Sequence, residues 1–157
     1  MEQNVLNDFW GCILDEIKID LLNHKITLKI KKDHVLNEII FEEVAAFFFL
    51  NEDGENRFSF GDYGGYLELS EISYLPNGIG KLALMDVIEE EKEWAQTQYA
   101  NANFYILIWN SSLFIEARKI IINNINYDLE FKNFISTDEN VEIKLSGIKK
   151  FIEKFSK

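Results

Sequence analysis

Between Lys25 and Lys32 the chain reads KITLKIKK, with Ile26, Leu28 and Ile30 alternating against Lys25, Thr27, Lys29 and Lys31. A period of two puts every second side chain on one face, so the stretch predicts a β-strand with one buried and one wet side. Ile13, Ile17 and Ile19 make a similar pattern just upstream. Leu22, Asn23 and His24 lie between the two runs, which therefore read as a β-hairpin.

The alternation slips twice further on. Ile39 and Phe41 share one face, and Val44, Ala46, Phe48 and Leu50 continue at the other parity. One extra residue restores the match, so a β-bulge is predicted near Glu42 and Glu43. Leu67 and Leu69 give way to Ile72 and Tyr74 in the same manner, with the slip at Ser70 and Glu71. Such slips suit a strongly curved antiparallel sheet. Asp53-Gly54 is a hairpin-turn signal and opens an irregular loop rich in glycine and aromatics. Residues 82–99 read as a helix, with Leu84, Ile88 and Trp94 near helical spacing and Glu89 to Glu93 facing solvent. Phe104 to Trp109 reads as a strand, Asn110-Ser111-Ser112 as a turn, and Leu113 to Ile122 as the returning strand. Ile106, Ile108, Ile115 and Ala117 would face inward.

The last segment is ambiguous over 138–147. VEIKL alternates like a strand, yet Val141, Leu145, Ile148, Ile152 and Phe155 recur at helical spacing. A helix is favoured over at least Ile148 to Phe155. The expected fold is a single α+β domain over 1–157. It is built on a curved antiparallel β-sheet of about seven strands, with one helix near 82–99 and one C-terminal helix.

A chain of 157 residues with 47% apolar residues can bury a sizeable core without a metal or a disulfide. Cys12 is the only cysteine, which fits a reducing compartment. No signal peptide or bilayer-spanning run is visible, so a soluble cytoplasmic protein is expected. The net charge of −11 repels nucleic-acid phosphates and anionic lipid and attracts basic proteins. Neither a nucleic-acid nor a membrane partner is expected.

Catalytic signatures are sparse. His24 and His34 fall in or beside predicted turns and lack a second ligand at metal spacing, so no metal is expected. Cys12 reads as a buried, inert thiol. GDYGGY lacks the Lys-Ser/Thr ending of a phosphate loop and precedes a strand. NEDGEN lacks the EF-hand order of oxygen ligands. No cofactor is expected, and the balance is against an enzyme. Arg118 is one of only two arginines and is a candidate anion contact, because a guanidinium can grip a carboxylate or phosphate with two donors.

Two stretches carry a family resemblance. GCILDEIKIDLLNHKITLKIKK, followed by NEIIFEEVAAFFF, resembles the first half of the YxiG-like proteins of Firmicutes. FYILIWNSSLFIEARKIIINN resembles that family's late hairpin. Together they cover about half the chain. The family has no assigned catalytic residues to carry over. Similar small proteins are associated with bacterial polymorphic-toxin loci, so the resemblance implies an immunity role. The leading expectation is a non-enzymatic acidic binding protein, an immunity-type inhibitor of a basic toxin, acting through Asp86, Glu89, Glu90, Glu91 and Glu93. The alternative is a small-ligand binder or enzyme using the loop 58–66, with Phe58, Asp62, Tyr63 and Tyr66 as its site.

Overall fold

The computed structural model of the protein describes residues 1, 3–51, 67–79, 81–82, 90 and 100–129. A short helix α1 (Asn4–Asn7) precedes β1 (Ile13–Asp20), β2 (Lys25–Lys32), β3 (Val35–Glu42) and β4 (Ala46–Asn51). There follow β5 (Leu69–Tyr74), β6 (Lys81–Leu82), β7 (Ala100–Asn101), β8 (Phe104–Ile108), β9 (Ser111–Glu116), β10 (Lys119–Ile122) and β11 (Ile125–Asp128). Eleven strands among the described residues exceed the seven expected, partly because the predicted strand Leu113 to Ile122 is two. Ala117 and Arg118 divide it, and its halves belong to different sheets.

The larger sheet has the order β1-β2-β3-β10-β11 and the second β4-β9-β8-β5, while β6 and β7 pair separately. All pairings are antiparallel. Period-two patterning supplies the core between the two main sheets. Ile26, Leu28, Ile30, Ile39 and Phe41 from one, and Ile72, Phe104, Ile106 and Ile115 from the other, are almost wholly buried. Full burial of each such side chain is worth about 1.5–3 kcal/mol. The inward set predicted for the late hairpin is found, with Ile108 and Ala117 also buried.

The sheets are open and meet at two corners. At one, Gly11 N–H donates to Leu69 O (2.9 Å) and Leu14 N–H to Leu67 O (2.7 Å), tying the start of β1 to β5. At the other, β3 runs into β4 while β9 runs into β10, so two paired strands change sheets together. The predicted slip at Ser70 and Glu71 is a register shift between Leu69 and Glu71. A further shift, between Leu14 and Glu16, brings Leu14, Ile17 and Ile19 onto the core face opposite Ile30, Leu28 and Ile26. The slip near Glu42 and Glu43 is also found, as the corner itself. Glu42 pairs with Lys119 and Ala46 with Glu116, so three residues oppose two. Beyond it the expected inward set of Phe48 and Leu50 is wrong. Phe47 and Phe49 stand opposite the buried Ile115 and Leu113, because β9 and not β3 sets the facing of β4.

The tip of the late hairpin also differs from expectation. Trp109 and Asn110 form the turn, and Ser111 and Ser112 belong to β9. Ser112 is fully buried, and its hydroxyl donates to Tyr105 Oη at 3.2 Å, so a polar residue is satisfied inside a strand. The helix predicted near 82–99 begins on strand β6; apart from Glu90, the rest of that span lies outside the described residues. The C-terminal helix and the 138–147 ambiguity lie wholly outside them. Among the described residues, no helix is long and apolar enough to cross a membrane.

Two hairpins turn through paired left-handed residues, Asp33-His34 (φ 50° and 68°) and Asn123-Asn124 (φ 49° and 67°). Asparagine tolerates this region, whereas histidine does so at a cost that glycine escapes. His34→Gly should therefore stabilise the protein by about 0.5–1 kcal/mol, the relief being partly offset by the entropy of a freer unfolded chain. Urea denaturation would check it; a destabilised variant would show that the imidazole contributes contacts that outweigh the backbone strain.

Candidate functional site

The corner where β3 becomes β4 is the most irregular part of the described structure. Glu43, the first of the three bulged residues, has φ 52°. For a non-glycine residue this costs roughly 1–2 kcal/mol, so the surroundings must hold it there. Val44 N–H donates to His24 O (2.9 Å) and Ala45 N–H to Glu116 O (2.9 Å), while Arg118 N–H reaches Glu42 O (3.3 Å). His24, in the β1–β2 turn, is itself left-handed at φ 52°.

Behind the bulge lies Asn103, which is 4% exposed. Its amide nitrogen donates to Ala117 O at 2.8 Å, and its amide oxygen accepts from Ala117 N–H at 3.0 Å. The side chain thus acts as a short piece of strand, pairing the one residue that the bulge leaves without a ladder partner.

A groove of about 560 Å³ opens at this corner, lined by Asn23, His24, Glu43, Val44, Ala45, Glu116, Ala117 and Arg118. Its charges are mixed. Glu43 pairs with Lys119. The hydrogen bond from Lys119 and its charge hold the Glu43 carboxyl below the usual carboxylate range, with Arg118 adding to the effect. The same pairing raises the Lys119 ammonium. Glu116 carboxylate accepts from Asn101 N–H at 3.0 Å, which fixes it on the groove wall. His24 Nδ1 lies 3.4 Å from Val44 O. Beside the groove, Leu21 and Leu22 are 73% and 93% exposed at the turn tip.

The predicted site residues are thus only partly assembled. Arg118 is here, sharing the groove with Glu116 as their common sequence parity suggests. Glu90 is exposed. Asp86, Glu89, Glu91 and Glu93, and the alternative set Phe58, Asp62, Tyr63 and Tyr66, lie outside the described residues. Cys12 is buried, and desolvation pushes its thiol above the ordinary value against the opposing pull of Lys32. A raised thiol gives little thiolate, so it is a poor nucleophile. Among the described residues, no group of three or more His, Cys, Asp or Glu is placed to hold a metal ion.

Sequence reading missed the groove and Asn103. Asn103 follows a short polar stretch, and nothing local marks it as buried. A paired glutamate at a parity break was the available signal for the corner. The arrangement can bind mixed-charge surfaces: carboxylates for a cation, a guanidinium for an anion, and leucines for an apolar contact.

Comparison with known proteins agrees with this architecture in one respect. The sequence model of a family described as YxiG-like protein matches residues 3–127, from just before α1 into β11. No curated protein matches the chain.

Proposed function

The chain belongs to the YxiG-like family, and from that premise we propose that it is a non-enzymatic binding protein whose partner is a basic protein. The observation that carries this reading is the pair Leu21 and Leu22, 73% and 93% exposed, beside a groove walled by Glu43 and Glu116, on a chain of net charge −11. Adjacent leucines held out on a turn tip are suited to anchoring in a partner's apolar pocket. Carboxylates around them steer a cationic surface into register and disfavour anionic competitors. The acidic run Asp86, Glu89, Glu90, Glu91 and Glu93 adds to the same long-range field.

The partner is, in this proposal, a bacterial toxin met in the cytoplasm, with the chain as its immunity-type inhibitor. The association of similar small proteins with toxin loci supports that identity. A second reading rests on groove size: about 560 Å³ falls in the range of small-ligand sites, and Arg118 would hold a carboxylate or phosphate there.

The test begins by recovering the partner from native lysate with the tagged chain. Leu22→Asp should leave stability within about 0.5 kcal/mol, because the side chain is solvated. It should weaken the complex by about 30-fold, the effect of losing a central apolar anchor. The wild-type association rate should also fall steeply with added salt. Unchanged affinity in the variant would remove the turn tip from the interface. Recovery of no protein, together with a small anion that protects Arg118, would transfer the site to the second reading.

A further inference from the structure

The sandwich has an open flank. On one side of it stands β1, whose Ile17 and Ile19 face the core opposite Leu28 and Ile26 yet are 38% and 44% exposed. On the other stands β4, whose Phe47 and Phe49 face the core opposite Ile115 and Leu113 yet are 38% and 63% exposed. Between them runs a groove of about 310 Å³, walled by residues from Ile19 to Ile26 and from Val44 to Phe47. Four large inner-face side chains without cover are more than scattered surface hydrophobes.

We propose that residues 141–157 of the same chain seat on this flank, laying an amphipathic helical face across β1 and β4. The first argument is pattern. Val141, Leu145, Ile148, Ile152 and Phe155 recur at helical spacing and would form one apolar stripe, with lysines elsewhere around the axis. The second is length. At 1.5 Å per residue a helical stripe from Val141 to Phe155 would run about 21 Å, and a six-residue strand such as β4 runs about 20 Å.

The third argument is charge. Residues 141–157 hold five lysines against two glutamates, a net +3, which leaves −14 for the rest of the chain. The segments 52–66 and 83–99 are both acidic and would repel the body they pack on, so they are poorer occupants. The same −14 opposes the approach of this segment to an anionic membrane. The fourth is the family boundary. The shared unit ends at residue 127, so the cover for this flank can come from a segment particular to this chain. Residues 130–140 extend to about 36 Å, enough to cross a compact domain of this size. This inference does not depend on any outside partner.

A nitroxide attached to Ser156→Cys in the full chain tests the seating directly, since Cys12 is buried and escapes labelling under native conditions. The amide signals of Ile17 to Asp20 and of Ala46 to Leu50 should broaden, while those around Asn123 should not. The triple variant Leu145→Asp, Ile148→Asp, Ile152→Asp should abolish that broadening. It should also raise binding of an apolar dye several-fold and speed amide exchange in β4 at least tenfold. Absence of selective broadening in the labelled wild type would overturn the proposal. So would co-sedimentation of the wild type with anionic vesicles that the triple variant loses, or a concentration-dependent dimer that alone protects β4.

Discussion

Phe104→Ala should remove about 3–5 kcal/mol of unfolding free energy, the range for truncating a fully buried phenylalanine. Phe104 has no exposure, and its ring meets Phe41 edge-on with centroids 4.9 Å apart at 70°. Tyr74 lies 5.1 Å away on the other side. Phe41 belongs to the larger sheet and Phe104 and Tyr74 to the smaller, so this trio clamps the two layers. Alanine would lose the transfer energy of the ring, the edge-to-face contact, and the packing around the space left behind. Urea denaturation should show a lower midpoint with an unchanged slope. A loss below about 1 kcal/mol would mean that the layers close over the gap, so that the clamp lies elsewhere in the core.

How much of this was legible follows from the range of the forces involved. The first hairpin was readable because Ile26, Leu28 and Ile30 carry their facing in their own spacing. The parity breaks at Glu42-Glu43 and Ser70-Glu71 were readable for the same reason. What a parity break means was not. Near Leu69 the sheet absorbs the extra residue and continues. At Glu43 the strand leaves one sheet for the other, and the new partner then decides which phenylalanines face in. Local alternation cannot distinguish the two, because the choice rests on pairings with residues some 70 positions away.

Small polar residues hid the rest. Gln3 reads as part of a polar leader, yet its amide donates to Ile72 O (2.8 Å) and accepts from Tyr74 N–H (3.0 Å), covering the edge of β5. Edge coverage of this kind protects a strand that would otherwise template another chain. Ser112 reads as turn and is core. The groove at the corner had only Arg118 as a clue, since its other walls come from a turn and two strand ends that meet only on folding.

Asn103→Ala should destabilise the protein by about 2–5 kcal/mol, although it deletes only a small polar side chain. The reason is what remains. Ala117 is 1% exposed, and its N–H and C=O both depend on the Asn103 amide. Each backbone group stranded in the interior costs about 1–3 kcal/mol, far more than the net worth of the hydrogen bond it lost. Asn103→Asp should not rescue. A carboxylate can still accept from Ala117 N–H, but it has no donor for Ala117 O and would bring a charge into the core. Asn103→Leu, which fills the volume without pairing, should fail as well. The amide of Ala117 should exchange at least tenfold faster in the alanine variant, even where global stability permits folding. The corner should then slip, so the mixed-charge groove should lose its order with the bulge that shapes it. If alanine is tolerated within about 1 kcal/mol and Ala117 stays protected, a water has taken the place of the amide. The bulge would then be held by the β3–β10 and β4–β9 ladders alone.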